Sequence, residues 1–232
     1  MGETASLATA PTLYKIEYNP VKDFAPITLV ASAPLVVVAH PSVPAASLRE
    51  FITYARQRPH VLNYSAGGSG TVAHLTSALL NLVAGIDVVY VPYKGAAAAL
   101  LAVVGGEVQV SSLSATVAVP QVKTAKLKAY AVTAKKRFPT LPEVPTGAEA
   151  GLPGFESEVW FGLVAPVRVP ATLVSRLNRE VADILKTPAT AAVFLLQGTQ
   201  PAPTSQAQFG QFIQAEIPKW AAVIKAAGVA VE

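Results

Sequence analysis

The chain has 232 residues, of which 52% are hydrophobic and 14% charged, and a formal net charge of +4. This length and apolar content exclude a disordered chain and predict one large folded domain or two small ones. The absence of cysteine excludes disulfides, thiol nucleophiles and cysteine-based metal sites.

The mean hydropathy of +0.43 raises the question of a membrane. The longest unbroken apolar run, 96–104, is about half of the ~20 residues that a spanning helix needs, so the sequence predicts a soluble protein. Residues 1–7 lack the basic and apolar regions of a signal peptide. A chain expressed as written is therefore expected to stay in the cytoplasm.

Between residues 35 and 133, short β-branched runs alternate with helical patterns. Strands are predicted at 35–39, 61–65, 87–91, 108–110 and 127–133, and helices at 47–56, 71–83 and 96–104. Ser47 and Glu50 have the spacing of a capping box. Continuous apolar strands that alternate with helices predict an α/β fold with a largely parallel sheet.

The segment 138–154 carries four of the nineteen prolines and three glycines, which predicts an ordered connection without regular structure. A strand is predicted at 159–165. Two helices are predicted after it, one opened by Pro170 and one by a capping box of Ser205 and Gln208.

The strands 35–39 and 159–165 bracket the central α/β block, as when the chain enters and leaves an inserted lobe. We therefore expect two α/β lobes joined by a hinge, with a ligand cleft between them. Lobe 1 is expected to comprise 1–38 and 157–232, and lobe 2 to comprise 39–156.

The stretch "NYSAGGSGTVAHL" (63–75) places a glycine-rich loop between a predicted strand and a predicted helix. Backbone N–H groups and the positive helix end would suit an anion, with hydroxyl donors from serine and threonine. No Gly-Lys-Ser/Thr or G-x-G-x-x-G motif is present, so a carboxylate fits better than a nucleotide phosphate. A tight turn with a helix N-cap remains the alternative. The candidate residues are Ser65, Gly67, Gly68, Ser69, Gly70 and Thr71.

His74 lies off the predicted apolar stripe of its helix and is expected to face the loop or solvent, as a ligand group or as a structural histidine. A hydrolase that uses Ser69 and His74 is a weaker alternative, because no acid partner is evident. The three histidines, His40, His60 and His74, show no metal-ligand spacing, so neither a metal nor a cofactor is expected.

A basic stretch from 123 to 137 contains six cations and no acid. It predicts a solvated edge rather than a nucleic-acid surface, because no aromatic platform accompanies it. Its members are Lys123, Lys126, Lys128, Lys135, Lys136 and Arg137.

Several ordered segments together resemble the tripartite tricarboxylate transporter receptors, also called the Bug family of extracytoplasmic solute receptors. They are "YNPVKDFAPITLV" (18–30), "LNYSAGGSGTVAHL" (62–75), "VVYVPYKGAAAALLAVVGGEVQV" (88–110), "AKLKAYAVTAKKRFPTLPEVPTGAEAGLPGFE" (125–156) and "WFGLVAPVRVP" (160–170). The resemblance implies a periplasmic-binding-protein fold that captures a small carboxylate without transforming it. It also implies membrane transporter subunits as partners and a periplasmic location.

The resemblance implies further ligand-binding residues beyond the glycine loop. Tyr93 and Ser112 are expected as walls of the second lobe. Trp160 is expected at the hinge side of the cleft, although a tryptophan at such a position is more often a core residue than a ligand wall. The stretch 2–9 resembles a loop that borders the cleft, and Thr4 and Ser6 are expected to contribute from it.

The family pattern also includes an export signal and a first-lobe glycine loop ahead of the position where this sequence starts. The first lobe is therefore expected to be incomplete, with exposed apolar surface, self-association and weaker ligand capture. A remnant that no longer captures a ligand remains the alternative.

Overall fold

The structure, a computed structural model, describes residues 1–229. The chain divides into two compact units. Unit 1 comprises Met1–Ala33 and Val159–Glu232, and unit 2 comprises Pro34–Glu158. Each unit combines β-strands with helices.

The strands are β1 (Gly2–Glu3), β2 (Phe24–Ala39), β3 (Asn63–Ala66), β4 (Val89–Pro92), β5 (Val110–Ser114), β6 (Lys128–Val132), β7 (Glu158–Pro166) and β8 (Gln200–Pro201). The α-helices are α1 (Ala10–Leu13), α2 (Leu48–Arg56), α3 (Val72–Ala84), α4 (Ala96–Val104), α5 (Ala115–Lys123), α6 (Ala171–Leu185), α7 (Pro188–Leu196) and α8 (Gln206–Ala226). A π-helical segment, Ala5–Thr9, precedes α1.

The sheet of unit 2 has the strand order β6-β2-β5-β3-β4. β3 runs parallel to β4 and to β5, with Tyr64 opposite Tyr90 on one side and opposite Val110 on the other. The second half of β2 pairs antiparallel with both β5 and β6. The predicted parallel sheet is therefore correct for four strands, while β2 is an antiparallel member that the apolar pattern did not distinguish.

Local sequence signals account for the helices of unit 2. The Oγ of Ser47 accepts the Glu50 N–H at 3.2 Å, as predicted. The Glu50 carboxylate accepts the N–H of Ala46 at 2.8 Å instead of the N–H of Ser47, so the second hydrogen bond of the capping box is shifted by one residue. α3 ends at Ala84 and is followed by Gly85, whose φ of +59° is the left-handed conformation typical of a helix C-terminus. α4 has the predicted bounds.

The sheet of unit 1 contains β1, β7, β8 and the first half of β2. β1 pairs antiparallel with β7 at Gly2↔Gly162, and β8 pairs antiparallel with β2 at Ala31↔Pro201. α8 begins with the predicted capping box, in which Ser205 and Gln208 bond reciprocally. A Cβ at Gly162 would lie 2.0 Å from Phe209 Cζ, so α8 packs closely on β7.

Several expectations differ from the structure. The strand expected at 35–39 begins earlier, because β2 runs from Phe24 to Ala39. The stretch 2–9, expected as a loop, forms β1 and the π-helical segment. The strand expected at 108–110 lies at Val110–Ser114, because the serine hydroxyls of β5 find partners inside the unit. α5 and α7 had no predicted counterpart. The stripe predicted along α3 is wrong at its end, where Leu82 is 50% and Val83 36% exposed. Its predicted members are Val72, Leu75, Leu79, Leu82 and Val83.

Candidate functional site

Three helices of unit 2 begin at one edge of its sheet. β3, β4 and β5 are parallel, so their carboxyl ends share an edge, and α3, α4 and α5 follow them after short connections. The N–H groups in the first turn of a helix have no intrahelical acceptor and carry partial positive charge. Neither α4 nor α5 has a side-chain cap. This edge is therefore suited to an anion.

The glycine loop, defined here as residues 67–71, connects β3 to α3. Thr71 is the N-cap of α3, and its Oγ1 accepts the His74 N–H at 3.3 Å. The same hydroxyl donates to the Gly68 carbonyl at 2.9 Å and closes the loop on itself. Gly68 and Gly70 have φ values of +129° and +74°, which a side chain rarely permits.

Gly67 brings the glycine loop against the start of α4. A Cβ at this position would lie 2.6 Å from the Ala96 nitrogen and 2.6 Å from the Gly95 carbonyl carbon. Because these are backbone atoms, they cannot move aside as a flexible side chain would. Glycine at this position therefore allows the loop after β3 and the N-terminus of α4 to lie side by side.

Several donors of the glycine loop remain available. Within residues 1–229, the N–H groups of Gly68, Ser69 and Thr71 donate to no protein atom. The side chains of Ser69 and Thr71 are exposed. The arrangement thus combines unused backbone donors with hydroxyl groups at the positive end of a helix, and it supports both the turn and the anion-site interpretation.

His74 is buried, with 4% of the residue exposed, so of the two predicted orientations, toward the loop or toward solvent, the one toward solvent is wrong. Its Nδ1 lies 3.1 Å from the Gly70 nitrogen and accepts that N–H, so the ring does reach the loop. Its ring stacks on Tyr90 at a centroid distance of 3.8 Å. Burial lowers the pKa of His74 from 6.5 to about 4, which keeps the ring neutral.

The side chains of Ser65 and Ser112 lie inside unit 2. The Ser65 hydroxyl donates to the Ala99 carbonyl at 2.9 Å, and the Ser112 hydroxyl accepts from Ser77 at 2.9 Å. Both residues are almost completely buried. Their hydroxyls are therefore engaged within the unit, and the contacts show a structural role; a role for either residue in ligand binding stays a prediction.

Tyr93 lies in the connection between β4 and α4, next to the glycine loop. Its N–H donates to the Ala66 carbonyl at 3.0 Å, which joins this connection to the end of β3. Its hydroxyl donates to the Glu107 carboxylate at 3.3 Å. Desolvation and this glutamate raise the pKa of Tyr93. The side chain is half-buried at the same edge of the sheet as the loop.

The remaining predicted ligand residues lie in unit 1. Trp160 is completely buried, and its Nε1–H donates to the Glu216 carboxylate at 3.2 Å. The buried Thr4 accepts the Trp160 backbone N–H at 2.9 Å. Ser6 exchanges hydrogen bonds with the backbone of Glu3. These contacts stabilise unit 1, and a ligand role for the three residues stays a prediction.

Two tyrosines next to His74 were missed by sequence reasoning. Tyr64 and Tyr90 occupy opposite positions of β3 and β4, and their rings stack at 5.3 Å. Burial, together with Tyr90, raises the pKa of Tyr64. Tyrosine at the fourth position of each of two consecutive predicted strands, 61–65 and 87–91, was the available signal.

The hydrolase alternative, in which Ser69 and His74 act together, has weak geometric support. No hydrogen bond joins Ser69 to His74 within residues 1–229, and the Nδ1 of His74 is occupied by Gly70. The same residues contain no cluster of potential metal ligands. Nor does any of the helices described combine the length and the apolar composition that crossing a membrane requires.

Part of the predicted basic edge is engaged within unit 2. The Nζ of Lys128 donates to the Val43 carbonyl at 2.8 Å and to the Ala45 carbonyl at 3.2 Å. The Nε of Arg137 lies 2.8 Å from the Glu149 carboxylate. The hydrogen bond from the Thr146 N–H and, after it, the Arg137 guanidinium lower the pKa of Glu149. These contacts agree with a solvated, partly paired edge.

Comparison with known proteins identifies relatives over nearly the whole chain. The family model described as "Tripartite tricarboxylate transporter family receptor" matches residues 1–229. Protein BugT of Bordetella pertussis is 30% identical over 226 residues, which is 97% of this chain and 69% of BugT. A Pseudomonas sp. protein from the tcbD-tcbE intergenic region is 33% identical, covering 90% of this chain and 63% of that protein. The chain thus spans about two thirds of the length of these relatives.

Solved structures show the same fold. An R. palustris protein solved with adipate is 33% identical, with a TM-score of 0.80 over 99% of this chain and 77% of that one. MatC from Rhodopseudomonas palustris with bound malate is also 33% identical, with a TM-score of 0.75 over 96% of this chain and 77% of MatC. The predicted α/β, periplasmic-binding-protein-like fold is confirmed.

Proposed function

Because the chain belongs to the tripartite tricarboxylate transporter receptor family, we propose that it captures a small carboxylate solute for a transport system of this type. The observation that carries the proposal is the edge of the unit 2 sheet where α3, α4 and α5 begin. There the glycine loop offers N–H groups that no protein atom accepts within residues 1–229. Such donors bind a carboxylate without a metal and without a covalent step.

The proposed ligand class is the small dicarboxylates. Two structural relatives were solved with adipate and malate, each of which carries two carboxylates. The glycine loop is suited to one carboxylate, with Ser69 and Thr71 as hydroxyl donors. The net charge of +4 favours the approach of an anion. Tricarboxylates, amino acids and aromatic acids are the other acids to compare.

The family description supports two further parts of the proposal. The partners are the membrane subunits of a tripartite tricarboxylate transporter, to which a receptor delivers its solute. The site of action is the periplasm, because delivery to such subunits requires access to the outer side of the inner membrane. In this role the protein binds and releases its solute unchanged.

Calorimetric titration tests the proposal directly. Adipate, malate, citrate, glutamate and benzoate are titrated into the protein at pH 7.5, with adipamide as the control because it has the length of adipate without its charges. We expect at least one dicarboxylate to bind with a micromolar Kd and adipamide to show no heat of binding. Binding of none of the acids would contradict capture, and equal binding of adipamide would contradict carboxylate recognition.

A further inference from the structure

The ring of His74 connects the glycine loop to the sheet of unit 2. On one side, its Nδ1 lies 3.1 Å from the Gly70 nitrogen. On its face, the ring stacks on Tyr90 with an interplanar angle of 13°, and Tyr90 in turn stacks on Tyr64. The position of Gly70 therefore depends on a ring that two strands hold in place.

The hydrogen bond determines the protonation state of the ring. A backbone N–H can only donate, so the Nδ1 of His74 must accept and the proton of the neutral ring lies on Nε2. A protonated ring would place an N–H at Nδ1 directly opposite the N–H of Gly70. Two donors facing each other repel, so the bond exists only with the neutral ring.

We propose that His74 is a positioning residue: its unprotonated Nδ1 holds Gly70 and thereby orients the free N–H groups of Ser69 and Thr71, and protonation of the ring releases the loop. The Thr71 hydroxyl closes the other part of the loop through Gly68. Both contacts are needed because the two glycines have no side chains that restrict their backbone. The effect on ligand capture rests on the proposed function, whereas the effect on the loop does not.

The surroundings of the ring are consistent with this role. The titratable groups that face it are the phenols of Tyr64 on β3 and Tyr90 on β4. Within residues 1–229 His74 forms no salt bridge, and burial accounts for the lowering of its pKa to about 4. The loop is therefore held at neutral and mildly acidic pH and is released only in stronger acid.

Amide hydrogen exchange of Gly70, measured by NMR on the ligand-free protein, tests the positioning role. Its protection factor, corrected for the intrinsic pH dependence of exchange, is expected to fall at least about fivefold between pH 7 and pH 3.5 while the His74 ring titrates. The variant H74N places an amide oxygen two bonds from Cβ, as far as Nδ1 lies in histidine. This oxygen can accept the Gly70 N–H, and the amide does not titrate. This variant should keep the protection at both pH values.

The matched control is H74Q, which places its amide one bond farther from the backbone and should lose the Gly70 protection at all pH values. The proposal would be overturned if the protection factor of the Gly70 amide in the wild type did not change while the His74 ring titrates. Equal protection in H74N and H74Q would overturn it as well. None of these measurements requires a ligand.

Adipate binding at pH 7.5 then tests the consequence for capture. We expect H74Q to weaken binding about tenfold and H74N to recover most of this loss, because only H74N keeps the acceptor for Gly70. Equal weakening in both variants would overturn the link from loop position to affinity. If the wild type binds no acid, the proposed function fails, and the Gly70 exchange data still decide the role of His74.

Discussion

In unit 1, the buried polar groups bind one another, whereas in unit 2 part of the polar backbone at the strand ends has no protein partner within residues 1–229. The Glu216 carboxylate of unit 1 accepts from the indoles of Trp160 and Trp220, at 3.2 and 2.9 Å. In unit 2, the glycine loop leaves the N–H groups of Ser69 and Thr71 without an acceptor. Satisfied polar contacts therefore indicate stability, while unsatisfied donors at a helix start indicate a place for a ligand.

The largest expected effect concerns the core of unit 1. W160A removes a completely buried ring that contacts Phe209 and Phe212 edge-on and leaves Glu216 with one indole donor fewer. We expect the free energy of unfolding to fall by about 3–5 kcal/mol. Urea unfolding followed by circular dichroism measures this loss. The control is V167A at a half-exposed site, which should change stability by less than about 0.5 kcal/mol.

A loss below about 1 kcal/mol in W160A would contradict the description of Trp160 as a core residue. The comparison between the two units would then need revision, because Trp160 would be free to serve as the ligand wall that the sequence also suggested.

An intermediate effect is expected from acid acting on His74 in unit 2. Its pKa is about 4 in the folded protein against 6.5 ordinarily, so between these values the unfolded chain binds more protons. Stability that His74 contributes is therefore complete above pH 6.5, decreases progressively as the pH falls from 6.5 toward about 4, and is fully lost below that value. We expect this loss to reach about 2 kcal/mol by pH 4.5.

Urea unfolding of the wild type and H74N at pH 7.5 and pH 4.5 isolates this contribution. The variant lacks the titrating ring but retains all other ionisable groups, so it should lose about 2 kcal/mol less than the wild type on acidification. Equal losses in both proteins would show that the His74 ring is not held neutral by burial.

The smallest expected effect on free energy concerns the glycine loop. G67A places a Cβ 2.6 Å from the Ala96 nitrogen and forces the loop away from the start of α4. We expect adipate affinity to fall about tenfold, which is about 1.4 kcal/mol. Calorimetric titration measures it.

The control for G67A is G85A at the other end of α3, where a Cβ meets no atom within 4 Å but the φ is +59°. This variant should cost about 1 kcal/mol of stability because of its left-handed backbone and should leave adipate binding unaltered. If G85A weakens binding as much as G67A does, the effect comes from destabilised α3 rather than from the loop.

Local signals in the sequence were sufficient for much of the fold. Ser205 and Gln208 predicted a capping box, and the apolar run of α4 predicted its bounds, because both depend on residues within one or two turns. The glycine loop was found for the same reason, since glycines before a helix define a turn wherever they occur. α7 was missed because its apolar residues are not periodic and none of them is buried.

The individual residues of the candidate site were less predictable from the sequence than the fold was. The sequence alone determined the family, the α/β class and the loop between β3 and α3, because these follow from the order and type of residues along the chain. Several contacts become visible only in the folded chain: His74 is buried against Tyr90, Ser65 and Ser112 form hydrogen bonds inside unit 2, and Trp160 donates to Glu216. The partners in these contacts lie 16 to 56 residues apart along the chain. Their pairing depends on which strands become neighbours, and no local pattern specifies that.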